Sequence, residues 1–268
     1  MKIAITVGHS ILKNGNCTSA GGYVQEYKYC KELATLIANY LKQEKHTVDV
    51  VVCPERQFNK AYEEKAYKLS KVNKRGYDLL VELHLNAFNG SAKGTEVLYY
   101  SDRGKPYAQR VNDKLDDIFI DRGIKKRTDL YILRDTDCPA ILVEAFFCDN
   151  KEDYQKADEA HEKDLIARKI AEGILNKNLD IQNKKYKNCI LYGNDIDKVG
   201  AEIISWSKDD CIVKNVKDHI AWEGTNLFVI GGPAKQELDK MNTKEKYTSI
   251  AGSDRYDTIK NCLKFVGK

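Results

Sequence analysis

Met1-Lys-Ile-Ala-Ile-Thr-Val-Gly-His9 is the stretch that decides how the rest of the chain is read. Its apolar, β-branched run at 2–7, closed by Gly8, has the pattern of a buried strand. His9 stands where that strand stops. In an open α/β sheet ligands bind in the crevice beyond the carboxyl ends of the strands, so a histidine there is placed for chemistry. Two further runs end in the same way. Tyr77-Asp-Leu-Leu-Val-Glu-Leu-His84 runs into a histidine, and Pro139-Ala-Ile-Leu-Val-Glu144 runs into a glutamate. A polar residue at one strand end is as readily a cap or a surface group; three such ends together predict a site.

Outward from His9, the polar, Gly-containing loop at 10–22 borders the predicted cleft. Residues 25–45 then carry apolar side chains at Tyr29, Leu33, Leu36, Ile37, Tyr40 and Leu41, the spacing of one helical face. Glu26 falls in the first turn of that helix. There it complements the helix dipole, or, as a functional group, it faces His9 from above the sheet. Further strands are predicted at 47–53, 77–84, 94–100, 130–133 and 139–147. Helices are predicted at 61–76 and 107–119, with one long charged helix at 151–175. Strands alternating with helices predict an α/β fold, a mostly parallel twisted sheet flanked by helices.

Asn and Lys crowd the stretch between Asn176 and Asn188, which has little apolar content and reads as a domain boundary. The expected division is a first domain at 1–177, a linker at 178–187 and a second, smaller α/β domain at 188–268. In the second domain strands are predicted at 189–192, 211–216, 226–230 and 247–250. Its helices are predicted near 197–206, 233–241 and 256–265.

Composition narrows the classes. The 268 residues suffice for one large or two modest domains, each with its own core, and 42% hydrophobic and 31% charged residues are expected of a soluble globular protein. A net charge of +4 gives no reason to expect nucleic-acid binding, and it does not oppose an acidic polymer. No apolar run approaches the roughly 20 residues of a membrane helix, so membrane insertion is not expected. The opening apolar run is too short for the core of a secretion signal, and cleavage would remove His9; without a signal peptide the protein is expected to accumulate in the cytoplasm. None of the eight cysteines forms a Cys-x-x-Cys pair. Reduced thiols are expected, with Cys53, Cys148, Cys189 and Cys211 acting as small buried hydrophobes.

Two histidines and two glutamates are the composition of a hydrolytic zinc centre. A catalytic zinc has three protein ligands, of which two His and one Glu are one known set, and an open position for water. A second carboxylate can move the water's proton to a leaving amine. His9, Glu26 and His84 fill the ligand roles, and Glu144 fits the general base and acid. Glu82, two residues before His84, shares its strand face and needs a partner if buried. It is either a hydrogen-bond acceptor beside the site or a ligand in its own right. Glu96 raises the same question. Asn86 bonds substrate, holds the histidine, or is simply a turn residue. His46, His161 and His219 lie in charged, exposed contexts and read as ordinary. The ligand set by itself also admits other zinc chemistry, such as deacetylation of a sugar.

Across the first 175 or so positions the chain resembles the zinc-dependent N-acetylmuramoyl-L-alanine amidases of the amidase-3 type. The matching stretches are Gly8-His9, Glu26 opening the first helix, His84-Leu-Asn-Ala87, the run from Gly94 to Tyr100, Leu133-Arg134, and Pro139-Ala-Ile-Leu-Val-Glu-Ala-Phe-Phe-Cys-Asp-Asn150 with Lys151-Glu-Asp after it. The resemblance implies that His9, Glu26 and His84 bind Zn2+ and that Glu144 is the catalytic glutamate. It implies hydrolysis of the amide joining the lactyl group of N-acetylmuramic acid to L-alanine in peptidoglycan. One departure bears on the site: the family often has a small Ser where this chain has Glu82, which leaves the local hydrogen bonding open.

The size, the expected absence of a secretion signal and the added module together resemble a bacteriophage endolysin, close to those of clostridial phages. Such an enzyme is made in the host cytoplasm and acts on the bacterial cell wall after release. Peptidoglycan and a cell-wall polymer are the implied partners, and self-association through either domain is permitted. A host autolysin or spore-related amidase is the near alternative. A non-catalytic wall-binding protein with a structural metal in a closed four-ligand site is the distant one. In the second domain Asn226-Leu-Phe-Val-Ile-Gly-Gly232 and Ile250-Ala-Gly-Ser-Asp-Arg-Tyr-Asp-Thr258 resemble the second type of cell-wall-binding repeat, so this part is expected to be a cell-wall-binding domain. Gly231, Gly232 and Pro233 make a strand-to-helix turn whose free amides could hold an anion, although Pro there is also a structural preference. Ser253 or Asp254 caps the last helix. Arg255 binds a wall polymer or forms an internal ion pair. No wall-binding residue is singled out.

Overall fold

The computed structural model describes residues 1–179, 186–221, 223–241, 243 and 245–268. The chain divides into two compact units, Met1–Asp158 with Glu162–Leu179, and Glu159–His161 with Asp180–Lys268. The linker expected at 178–187 lies mostly outside the described residues, as does the side chain of His161.

The first unit runs β1 (Lys2–Val7), α1 (Glu26–Gln43), β2 (Thr47–Val51), α2 (Glu63–Val72), β3 (Leu79–Asn86), β4 (Thr95–Tyr99), α3 (Lys105–Leu115), β5 (Asp121–Lys126), α4 (Tyr131–Arg134), β6 (Ala140–Phe147), α5 (Lys151–Tyr154) and α6 (Ala160–Leu175). The six strands form one sheet in the order β2-β1-β3-β6-β4-β5. The first four are parallel; β4 runs antiparallel to β6, and β5 follows β4 in parallel. The α/β class expected from the alternation of elements is therefore the one found.

Period-two alternation sorts the strand residues into two faces. Ile3, Ile5 and Val7 of β1, Leu79, Val81 and Leu83 of β3, and Ile141 and Val143 of β6 pack with Leu33, Ile37 and Leu41 of α1 and Ile166 and Ile170 of α6. Ala4, Leu80, Leu98 and Leu142 face the other way, against Val72 of α2 and Ile132 and Leu133 of α4. Towards the carboxyl ends of β3 and β6 this second face changes character. The positions after Leu80 are Glu82 and His84, and the one after Leu142 is Glu144. An apolar row thus becomes polar where the parallel strands stop.

Several expected boundaries move. Residues 130–133 are not a strand but enter the short helix α4, closed by Arg134 N–H donating to Leu130 O at 3.1 Å and Asp135 N–H to Tyr131 O at 2.7 Å. The adjacent Ile132 and Leu133 both pack into the second core, which one alternating strand face could not accomplish. The additional strand is instead β5, Asp-Arg-Gly-Ile-Lys-Lys, an edge strand without apolar alternation. The single helix expected at 151–175 is two. Asn150 opens α5 by accepting from the Glu152 and Asp153 amides, as an N-cap does, and α6 begins afresh at Ala160. Within α5, the buried Asp153 carboxylate accepts from Gly94 N–H at 2.8 Å and Phe147 N–H at 3.0 Å, fastening the start of β4 to the end of β6.

The second unit runs β7 (Tyr186–Tyr192), α7 (Asp195–Ser205), β8 (Cys211–Asn215), β9 (Gly224–Ile230), α8 (Gly232–Lys240), β10 (Thr248–Ile250) and α9 (Arg255–Phe265). Its four strands are all parallel, in the order β10-β9-β7-β8. Gly231 has φ 84°, and a Cβ there would fall 2.2 Å from Asp197 Oδ2, so this turn requires glycine. Asp254, not Ser253, caps α9, accepting from the Tyr256 and Asp257 amides. His219 is not exposed: it is buried, with Nε2 2.7 Å from Glu245 Oε2, so a polar local sequence misreports a paired interior histidine. All eight cysteines are unpaired; Cys30 and Cys262 are buried, whereas Cys211 is half-exposed. Among the described residues no helix is long and apolar enough to cross a membrane.

Asp153→Ala would leave the Gly94 and Phe147 amides buried without an acceptor, at about 1–3 kcal/mol each. The expected outcome is a lower midpoint of urea unfolding; an unchanged midpoint would show that the carboxylate does not hold the two strands.

Candidate metal centre

Gly8 continues β1 by donating its N–H to Leu83 O at 2.9 Å. A Cβ on Gly8 would sit 2.3 Å from Cε1 and 2.5 Å from Nε2 of His84, so only glycine lets the two strand ends close on the ring. The next residue, His9, has φ 66°, in the left-handed region that non-glycine residues enter at a cost. That turn brings its imidazole edge-on to His84, with ring centroids 4.8 Å apart.

Glu26 is the first residue of α1 and is buried. Its Oε1 lies 2.8 Å from His84 Nδ1 and 3.1 Å from His9 Nε2. The same oxygen accepts from Leu85 N–H at 3.1 Å, and Oε2 accepts from Ala20 N–H at 3.0 Å. Burial alone would raise the proton affinity of this carboxyl, but the hydrogen bonds to His84 and His9 outweigh it and hold the group well below the usual carboxylate range. His9, Glu26 and His84 each offer one ligand atom, all within 4.8 Å of one another. Two imidazole nitrogens and a carboxylate oxygen form a donor set that suits zinc. The electrostatics agree. Burial favours neutral His84, yet Glu26 and Glu82 draw it towards its protonated form, so this spot attracts positive charge.

Glu144 stands on β6 in register with His84 of β3 on one side and Glu96 of β4 on the other. Its Oε2 is buried with no hydrogen-bond partner among the described residues. Burial pushes the Glu144 carboxyl up to about 7, with the charges of Glu26, Glu96 and Glu82 adding and that of His84 opposing. Glu96 is neutralised by Arg122 Nε at 3.0 Å and Lys125 Nζ at 2.5 Å. Asn86 donates to Glu96 Oε1 at 3.2 Å, a bond to the neighbouring acid and not to His84.

Glu82 is buried, with Oε1 3.3 Å from His84 Nε2 and 2.5 Å from Lys68 Nζ. Lys68 is a residue that reading the sequence missed, because a lysine in a charged helix looks solvent-facing. The signal was present: Glu64, Lys68 and Val72 recur every fourth residue, and these three form the buried stripe of α2. Glu64 in turn accepts from Ser10 Oγ and Thr18 Oγ1, both at 2.8 Å, tying the loop after His9 to the same helix. The His46 ring, by contrast, meets the amino terminus at 2.9 Å, away from this cluster.

Residues 3–176 match the Amidase_3 profile, N-acetylmuramoyl-L-alanine amidase, and the chain belongs to that family. It is 36% identical over 123 residues to an uncharacterized cell wall amidase of Bacillus anthracis, a match covering 41% of this chain and 23% of that protein. It is 31% identical over 197 residues to the endolysin of Bacillus phage SPP1, covering 69% of each chain. Among solved structures it is similar to the catalytic domain of CD27L endolysin targeting Clostridia Difficile, at 56% identity and a TM-score of 0.65 over 67% of this chain and 99% of that one. The chain spans about half of two uncharacterized Clostridium perfringens relatives, 51% and 53%, and less of the Bacillus anthracis protein.

Gly8→Ala is expected to push the His84 ring away from Glu26 and lower Zn2+ affinity at least about tenfold, the scale of losing a ligand's support. Competition against a chromophoric chelator measures this. Wild-type affinity in the variant would mean that the ring does not depend on the close approach of Gly8.

Proposed function

We propose that this chain is a zinc-dependent peptidoglycan hydrolase that cleaves the amide between N-acetylmuramic acid and L-alanine, acting as a phage endolysin. The observation that carries the reading is the convergence of His9, Glu26 and His84 at the strand ends, with the unpartnered Glu144 carboxylate one strand away, in a chain of this family. When bound, zinc would supply Lewis-acid polarisation of the scissile carbonyl and lower the pKa of water to roughly 7.

The chain's own groups account for the rest. Glu26, fixed by two backbone amides, sets the point on which both imidazoles converge. Glu144 accepts a proton from the attacking water and returns it to the amino group of the departing L-alanine, which needs a carboxylate with no competing cation. Glu82 and Glu96 are each tied to basic side chains and do not compete for that role. His9 keeps the cluster accessible from solvent, its side chain being 27% exposed.

Residues 188–268 are assigned to cell-wall binding. The two phrases resembling a wall-binding repeat lie on neighbouring parallel strands, the first covering most of β9 and the turn after it and the second running from the last residue of β10 into α9, which supports a shared role. Similarity to the endolysin of Bacillus phage SPP1 and to the CD27L catalytic domain supports synthesis in a host cell followed by action on its wall.

Mass spectrometry of digested peptidoglycan tests the reaction. New free L-alanine amino termini are expected; new reducing sugar ends in their place would make the enzyme a glycosidase. EDTA should abolish digestion and added Zn2+ restore it. Glu144→Gln should keep zinc while losing about 10²–10⁴-fold in rate, the usual contribution of a general base. Normal lysis by this variant would remove Glu144 from the mechanism.

A further inference from the structure

Lys68 and Glu82 form a buried ion pair that the chemistry above does not use, each residue being at most 2% exposed. Lys68 Nζ reaches Glu82 Oε1 at 2.5 Å, and that same oxygen lies 3.3 Å from His84 Nε2. On the opposite side of the ring, Nδ1 lies 2.8 Å from Glu26 Oε1. The imidazole of His84 is thus held at both nitrogens. One faces the cluster made with His9 and Glu26, and the other faces the Lys68–Glu82 pair.

We propose that Lys68 and Glu82 are positioning residues of the metal centre: Glu82 accepts the Nε2–H of His84 and so presents Nδ1 to the metal, while Lys68 holds Glu82 in that role. This rests on the metal-centre reading of His9, Glu26 and His84. A neutral imidazole carries one N–H, and fixing it at Nε2 leaves the Nδ1 lone pair free for a cation. A carboxylate acceptor behind a ligand histidine also strengthens that histidine as a donor.

Lys68 has two effects. It neutralises a carboxylate that would otherwise be buried without a counter-charge. It also bonds the Glu82 oxygen nearest the ring, which fixes where that acceptor sits behind His84.

The test uses the full-length chain as wild type, as Lys68→Arg, and as the double variant Lys68→Met/Glu82→Leu. The double variant removes both charges together, so neither is left buried alone. Zn2+ affinity is read by chelator competition, and the ring protons of ¹⁵N-labelled histidines by NMR. In the wild type, His84 is expected to carry its proton on Nε2, slow to exchange, with Zn2+ on Nδ1. The double variant should lose roughly 10–100-fold in Zn2+ affinity, the range found for such supporting partners, and its ring proton should exchange freely. Lys68→Arg, which keeps the charge, should restore near-wild-type affinity.

A folded double variant with wild-type affinity would overturn the proposal, as would zinc-loaded wild type with the His84 proton on Nδ1. If the double variant fails to fold, the wild-type ring measurement decides alone. Wild-type protein that binds no Zn2+ would sink the metal-centre reading itself. Zinc binding indifferent to the pair would sink only the positioning role.

Discussion

The Glu26 carboxylate is the interaction on which the site depends. A buried anion must be met by donors, and here the donors come from three different parts of the fold. Ala20 supplies an amide from the loop, Leu85 supplies one from the end of β3, and the two imidazoles come from the ends of β1 and β3. The amides belong to the main chain, so the fold itself fixes where the carboxylate sits. Its place in the first turn of α1 adds the favourable field of the helix amino terminus. The imidazoles then converge on a point already determined by backbone geometry.

The reversal of β4 adds a second constraint. It brings Glu96 beside Glu144 and, through the neighbouring β5, brings Arg122 and Lys125 to Glu96. Four carboxylates therefore crowd one end of the sheet, and three of them have assigned partners. Glu26 meets the histidines, Glu82 meets Lys68, and Glu96 meets the two basic residues of β5. Glu144 alone has no side-chain ion pair among the described residues, and burial raises its proton affinity. The general base and acid proposed for Glu144 is better served by this isolation than by a fixed counter-charge.

The parts of this arrangement differ in how plainly the sequence announces them. β1, β3 and β6 are apolar runs, so their ends can be located, and with them His9, His84 and Glu144. Glu26 was reached through helical periodicity. In the second unit the alternation of short apolar runs with amphipathic stretches predicts the four strands and three α-helices found among the described residues. β5 was hidden because an exposed edge strand needs no apolar face, and its residues serve Glu96 and solvent. The run at 130–133 deceived because four apolar or aromatic residues in a row fit a strand or a buried helical turn equally well. Lys68 goes unnoticed and His219 reads as exposed for a shared reason: each is polar in local sequence, and its burial depends on a partner distant in sequence, Glu82 or Glu245.

That last reason bears on how the domain divides its labour. The face of the sheet under α1 and α6 carries the larger apolar cluster and with it the cohesion of the unit. The other face is apolar under α2 and α4 only up to Leu80 and Leu142, and beyond them it holds buried charge. Buried ion pairs add little net stability, since desolvation offsets most of their attraction. Lys68 and Glu82 are thus poorly explained as a device for holding the fold together; two apolar residues of similar volume would do that as well. What an apolar pair could not supply is an acceptor behind His84. The proposed positioning role, more than stability, gives a reason for a lysine of α2 and a glutamate of β3 to meet in the interior.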